Sequence, residues 1–327
     1  MVNKECSFPM VFLFFSALFA LTVLPAGAAE FPARPVTYLV GYPPGGQADA
    51  AVRILANVGQ KYLGQPITVE SKLGASGQIC ADYLARQKPD GHTVGHLTYS
   101  QTHGEYFSHF RDATSTSKDF RVVAQYMLNI PVVVVRADDA FNTLKDLVEY
   151  TKKNPGLTYA PGGGKGNLFH VSMAIFAEKV GIQLVDVPTK GEGEIVPQLL
   201  GGHLRVGVGN ISTFIPFLKA GKVKALGLIA DDRYADYPAV PTFKEQGYDI
   251  GMGGSYQAAH VPAKTPDSVV AKLRDVIKKT CQDPEFISGM KPLGAPVAYL
   301  DGEAMEKRVN DITSLVVRVF KQFGYIK

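Results

Sequence analysis

The feature that narrows this chain most is an alternation, run twice, of short apolar segments with stretches of helical periodicity, joined by glycine-rich turns. Val36-Thr37-Tyr38-Leu39-Val40 reads as a buried strand that breaks at Gly41-Tyr42-Pro43-Pro44-Gly45-Gly46, and a helix is expected from about Ala48 to Leu63. Ile67-Thr68-Val69-Glu70, the loop Gly74-Ala75-Ser76-Gly77 and a helix through Arg86 follow. A third strand, Thr93 to Leu97, ends at Thr98-Tyr99-Ser100-Gln101. The pattern then restarts, with strands at Val132 to Val135, Leu157 to Ala160, Leu184 to Val187, Val206 to Asn210 and Val223 to Ile229. Its helices are Thr143 to Lys153, one after the turn Pro161 to Asn167 that ends near Val180, and one after Thr189-Lys190-Gly191-Glu192-Gly193 that ends at Leu200.

Strands alternating with helices at this period imply parallel sheet covered by helices on both faces. Right-handed crossovers gather the strand-to-helix turns on one edge, and ligands of such sheets sit outside the carboxyl ends of the strands. Extended crossings near 122–135 and 225–232 would join two sheets and leave a cleft between them. Amphipathic helices from Ser268 to Cys281 and from Glu303 to Phe323 are expected to return and pack on the first lobe.

The chain's 327 residues accommodate two domains of about 100–200 residues each. A net charge of +4, with Lys and Arg scattered, offers none of the basic stripe that nucleic-acid binding requires. At the N-terminus, Lys4 precedes an almost unbroken apolar run from Phe8 to Leu24, and Ala26-Gly27-Ala28 offers a small-x-small cleavage site. The run approaches the ~20 residues of a membrane anchor. Pro25 and the small residues after it favour instead a signal peptide over 1–28, so that the mature protein is exported and begins at Ala29 or Glu30. Cys6 is at the wrong end of the run for a lipoprotein. Of the two remaining cysteines, Cys80 and Cys281, an oxidising compartment permits a bridge, but a fold this size needs no staple and two buried thiols suit it better.

Three of the turns, 43–49, 74–77 and 162–167, lie between a strand and a helix. The first N–H groups of a helix have no intrahelical partner and sit at the positive end of the macrodipole. Glycine lets a ligand approach them closely. Two such turns on opposite lobes could each grip one carboxylate without a buried cation. A single Gly-rich turn is usually only a turn; three on one edge carry more weight. Asp49 reads first as a helix cap.

Nucleotide motifs fail on spacing: 162–166 lacks the terminal Gly-Lys-Ser/Thr of a phosphate loop, and no GxGxxG follows the first strand. No GxSxG elbow surrounds Ser76 or Ser100. His170 reads as a structural histidine. His92, His96 and His103 resemble a metal set, but a separation of four on a strand does not bring side chains together, so solvated turn and edge positions account for them better.

The motifs resemble the extracytoplasmic solute-binding receptors of tripartite tricarboxylate transporters, the TctC or Bug family. The resemblance rests on Phe31-Pro32-Ala33-Arg34-Pro35, Pro43-Pro44-Gly45-Gly46-Gln47-Ala48-Asp49, Leu63-Gly64-Gln65-Pro66, Gly74-Ala75-Ser76-Gly77 and Pro89-Asp90-Gly91. Lys190-Gly191, Leu199-Leu200-Gly201-Gly202, Val240-Pro241-Thr242 and Pro262-Ala263-Lys264-Thr265-Pro266 continue it in the family's order. It implies an α/β fold of the two-lobed, type II periplasmic-binding-protein kind, each lobe a mixed, mostly parallel sheet flanked by helices. The lobes would be 29–127 with 232–327, and 128–231. It further implies a periplasmic, monomeric, non-enzymatic receptor without cofactor or metal. That receptor would capture a small organic carboxylate and deliver it to the large and small membrane permease subunits.

Carried over residue by residue, the first-lobe contacts are Tyr42, Gly45, Gly46, Gln47, Asp49, Ser76, Ser100 and Gln101. Those of the second lobe are Gly164, Gly166, Asn167, Thr189, Lys190, Gly191 and Asn210. This chain departs from the family pattern at several places. Gln47-Ala48 replaces a small-hydroxyl pair, Asn167 a Ser or Thr, Arg205 and Gly209 acidic residues, and Tyr256 a frequent Trp. Glu192 stands where a small residue is usual; facing the cleft it would disfavour a bulky polyanion or accept a ligand amine or hydroxyl, and the alternative is that it faces solvent at a helix start. A sensory adaptor for a signalling receptor, a hydrolase or lyase on the same architecture, and a metal-binding receptor are the rival readings.

Overall fold

The computed structural model describes residues 31–189 and 191–326; the expected signal peptide with its cleavage site, and Lys190, lie outside the described residues. The first run of alternation folds as β1 (Val36–Val40), α1 (Gln47–Leu63), β2 (Ile67–Ser71), α2 (Gln78–Ala85) and β3 (Thr93–Thr98). Two short helices, α3 (Tyr99–Thr102) and α4 (Gly104–Phe107), and the long strand β4 (Phe120–Asn129) follow. The second run gives β5 (Pro131–Arg136), α5 (Leu144–Lys153), β6 (Leu157–Pro161), α6 (Leu168–Val180), β7 (Leu184–Asp186), α7 (Ile195–Leu200), β8 (Val206–Asn210), α8 (Ile211–Lys219) and β9 (Val223–Leu228). The remainder is β10 (Ser255–Pro262), α9 (Asp267–Gln282), α10 (Pro284–Met290), β11 (Val297–Asp301) and α11 (Gly302–Gln322).

Two sheets result, in the orders β11-β4-β10-β3-β1-β2 and β7-β6-β8-β5-β9. β1 pairs in parallel with β2 and β3, and β6 with β7 and β8. The ladders of β10 with β3 and β4, of β11 with β4, and of β5 with β8 and β9 are antiparallel. Both sheets are therefore mixed, and parallel pairing is confined to one patch of each. The reason is connectivity: β4 follows β3 through α3 and α4 and runs in the same direction, while β10, arriving from the second sheet, lies antiparallel between them and β11, arriving from the C-terminal helices, lies antiparallel to β4.

β4, expected as part of an extended crossing, is a central strand with Val123, Ala124, Tyr126 and Met127 buried. The chain passes to the second sheet at Ile130, and returns between β9 and β10. The return comes late. Tyr234 and Val240 share a core with Val132 and Leu228, and the Phe243 N–H donates to the Leu228 carbonyl. Residues 232–250, expected in the first lobe, thus lie against the second sheet. α9 packs on α1 and β4 as expected, whereas α11 spans both halves: it packs on β4 and on α6, and its Phe320 is buried against Phe107 and Phe110.

The histidines are a second correction. His92, His96 and His103 are buried, not solvated; β3 lies inside the sheet with strands on both sides, so His96 has no edge to occupy. Among the described residues no His, Cys, Asp and Glu side chains gather into a metal-ligand set. Cys80 and Cys281 are buried free thiols, which burial pushes up to about 12. No helix of the described residues is long and apolar enough to cross a membrane.

Candidate ligand-binding site

A cavity of about 670 Å³ lies where turns from the two sheets face one another, within the range of small-molecule sites. The first half contributes Pro43, Gly46, Gln47 and Ala48, then Gly74, Ser76 and Gly77, then Thr98, Tyr99 and Ser100. The second half contributes Gly162, Gly163, Asn167, Gly191, Glu192 and Asn210.

The first-half turns are locked together by one side chain. Gln101 is fully buried: its Nε2 donates to the Tyr42 hydroxyl at 2.9 Å and to the Ser76 carbonyl at 2.8 Å, and its Oε1 accepts the Thr98 N–H at 2.9 Å. The fit leaves no spare room. A Cβ on Gly77, whose φ is +87°, would lie 2.0 Å from Gln101 Nε2, and one on Gly41 would lie 2.7 Å from the Gly77 Cα. Ala75 and Ser76, with φ of 48° and 53°, hold the left-handed conformation without being glycine, a cost of about 1–3 kcal/mol each that tends to be retained where it shapes a site.

Asp49 does a parallel job one turn earlier. It accepts the Gly45 N–H at 2.9 Å and pairs with Arg53, whose guanidinium holds its carboxyl below the usual range. With Gly46 and Gly77 as their N-caps, neither α1 nor α2 has a side chain closing its N-terminal N–H groups, and both helices begin at the cavity wall. Behind this wall lies Arg111, which donates through Nη2 to the Ser100 carbonyl and through Nε to Gln78 Oε1 at 3.2 Å. The first-half side is therefore electropositive without any cation in contact with the cavity.

The second-half turns are built differently. Asn167 Oδ1 caps α6 by accepting the His170 N–H at 3.0 Å, and its Nδ2 donates to the Gly162 carbonyl. His170 Nδ1 accepts the Gly166 N–H at 3.3 Å, and burial pushes this imidazole down to about 4, so it is a neutral brace for the turn. The Thr189 hydroxyl donates to the Pro161 carbonyl at 2.9 Å, tying Thr189 to the end of β6. Glu192 faces the cavity, which resolves its two possible orientations. Its carboxylate accepts the Asn210 N–H at 2.6 Å, Asn210 Nδ2 at 2.9 Å and the Thr213 hydroxyl at 2.9 Å, while burial raises its pKa against the pull of these bonds. Gly209, noted above as replacing an acidic residue, leaves the space: a Cβ there would lie 2.8 Å from Glu192 Oε2.

Of the expected contacts, Tyr42, Gly46, Gln47, Ser76, Ser100, Asn167, Gly191 and Asn210 line the cavity. Gly45, Asp49, Gln101, Gly164, Gly166 and Thr189 do not line it. Gln101, Asp49 and Thr189 are spent on tying turns together, the Gly45 N–H is turned into the Asp49 carboxylate, and Gly166 is pressed on the Phe110 ring, 2.7 Å from where its Cβ would be. Gly164 sits behind Thr189, whose carbonyl would lie 3.7 Å from its Cβ. Lys190 lies outside the described residues. The lining also includes Asn129, Tyr256 and Gln257, and an apolar wall of Phe107, Leu168, Phe169, Val171, Met252 and Ile312. Of these only Tyr256 drew notice in the sequence. Asn129 and Gln257 belong to β4 and β10, strands that do not lead through a glycine-rich turn into a helix; the glycines at 251–254 stand before β10 instead.

The family model for the tripartite tricarboxylate transporter family receptor, TctC, matches residues 51–324. The chain belongs to this receptor family. It is 30% identical over 319 residues to the "UPF0065 protein in gbd 5'region" of Cupriavidus necator, covering 95% of each chain. Among solved structures it resembles a TctC solute-binding protein from Polaromonas at a TM-score of 0.78 and 26% identity, covering 89% of this chain and 99% of that one. It also resembles MatC of Rhodopseudomonas palustris with bound malate, at a TM-score of 0.68 and 26% identity over 89% and 98% of the two chains. These TctC neighbours share the two-lobed α/β fold of periplasmic solute-binding proteins, and the cavity described here lies between its two sheets.

Proposed function

We propose that this protein is an extracytoplasmic solute-binding receptor that captures a small organic carboxylate between two lobes and delivers it to the membrane subunits of a tripartite tricarboxylate-type transporter. One observation carries the reading: turns from opposite sheets line a single cavity whose first-half wall is made of uncapped helix N-termini, an arrangement that favours a negative charge. Family membership and the bound malate in the MatC structure agree with it. The proposed lobes are 31–129 with 252–326, and 130–251, hinged at Ile130 and in the glycine-containing stretch 251–254. Residues 1–28 are proposed to be a cleaved signal peptide that sends the protein to the periplasm, where it acts without cofactor, metal or turnover.

In mechanism, the guest binds the open form, bridges the two halves and biases the hinge towards closure by its differential affinity for the closed state. The closed surface then docks on the permease subunits. A thermal-shift screen of the mature protein against mono-, di-, tri- and aromatic carboxylates, each beside its methyl ester, tests the binding step. A saturating carboxylate at about 100 times its Kd stabilises the native state by about 2.7 kcal/mol, so a rise of several degrees is expected with an acid and none with its ester. A rise with sugars or neutral amines alone would reject the reading.

A further inference from the structure

The cavity is electrically asymmetric. Its first-half wall is electropositive for the reasons given above, with α1 and α2 beginning there and Arg111 one layer behind. On the second-half side stands the carboxylate of Glu192. Among the described residues the lining contains no lysine, arginine or histidine, and no cationic side chain pairs with Glu192. Three donors, from Asn210 and Thr213, hold the carboxylate in place and leave capacity on Oε1, which accepts one bond only. A half-buried carboxylate with no counter-charge among the described residues is costly to desolvate, and one facing a ligand cavity suits a cationic group on the guest.

A second, independent observation points the same way. Two lining residues, Asn129 and Asn210, have side-chain Oδ1 atoms with no hydrogen-bond partner. The Nδ2 of Asn210 is committed to Glu192, which turns its Oδ1 away from the carboxylate as a free acceptor. Both atoms are amide oxygens, which only accept. A guest that satisfies them brings N–H or O–H groups; a second carboxylate brings none.

We propose that Glu192, with the unpartnered Oδ1 of Asn210 beside it, forms an ammonium-recognising end of this cavity, so that the ligand is a net-neutral amino-carboxylate whose carboxylate meets the α1 and α2 turns and whose protonated amine meets Glu192. The inference rests on the receptor reading above and narrows it from carboxylates in general to zwitterions of extended form. Di- and tricarboxylates are disfavoured, because their second charge would be placed against Glu192.

The test compares matched pairs by calorimetry on the full mature chain: glutarate against 5-aminopentanoate, and adipate against 6-aminohexanoate, with wild type and Glu192→Gln. The amide keeps the shape and most of the hydrogen bonds of the carboxylate but removes its charge. Wild type is expected to bind the amino acid of a pair at least tenfold more tightly than the diacid, and Glu192→Gln to erase or reverse that ratio. The wild-type ratio stands by itself should the variant fail to fold. Diacids bound more tightly than amino acids by wild type, or a ratio unmoved in a folded Glu192→Gln, would overturn the ammonium site and leave the carboxylate receptor intact. No binding of either series, together with no response in the wider carboxylate screen, would overturn both.

Discussion

Three residues that do not touch the cavity do much to shape it. Gln101 joins three turns, Asp49 fixes the 43–46 turn to α1, and Thr189 is itself tied to the end of β6. All three were expected as ligand contacts from their place in motifs shared with the family. The motif identified the right neighbourhood; which polar groups face a guest and which face each other depends on bonds between segments 25 to 60 residues apart, as from Gln101 to Ser76 and Tyr42. Asp49→Ala leaves the Gly45 N–H without its acceptor. It is expected to lower unfolding stability by about 1–3 kcal/mol in urea titration, with most of the loss arising from the buried bond and little from the half-exposed Arg53. Carboxylate affinity should fall with it, because the turn is no longer held; unchanged stability would show that the tether is idle.

At the scale of elements, the sequence was most legible where a strand, a glycine-rich turn and a helix follow in order. β1-α1, β2-α2 and β6-α6 were read to within a residue or two of their ends, because burial, turn chemistry and helical period agree there. β4, β10 and β11 were not recognised, since none opens a strand, glycine-rich turn and helix in that order: β4 runs almost directly into β5, and β10 and β11 lie outside the repeated alternation. α8 was hidden by Pro216 in its interior. The long helix α11 was foreseen, but not that its apolar face serves two layers. Phe320 packs edge-to-face on Phe107 at 5.3 Å and Phe110 at 5.5 Å between ring centres. Phe320→Ala should therefore cost about 3–5 kcal/mol in denaturant unfolding. A loss below about 1 kcal/mol would mean that this aromatic cluster does not anchor α11.

For the molecule as a whole, pH reports on the sheets. His96 and His170 are held near 4 and His260 near 3, in each case chiefly by burial. A histidine whose folded pKa is depressed stays neutral in the native state while the unfolded chain takes up its proton, so stability falls as pH drops below the ordinary value of about 6.5. Each contributes a slope of up to about 1.4 kcal/mol per pH unit between there and its folded pKa. Melting temperature is expected to fall steadily from pH 6.5 to 5, above the range in which carboxylates such as Asp49 titrate, and to fall less steeply in His96→Gln. A melting temperature flat over that interval would contradict the burial of these rings.

The two-lobed fold follows from the repeated alternation, which is why it could be read in advance. The polarity of the cavity could not, because Glu192 reaches Asn210 and Thr213 only once β8 and α7 are packed together. The central claim is that opposite halves converge on one carboxylate-bearing guest. A crystal structure of the mature protein with its tightest carboxylate ligand from the screen measures this directly. The guest's carboxylate is predicted to accept hydrogen bonds from backbone N–H groups of the 46–48 or 76–78 turns while its other end touches residues 162–163 or 191–192. A guest held by one half alone, or seated outside the cavity, would contradict the account.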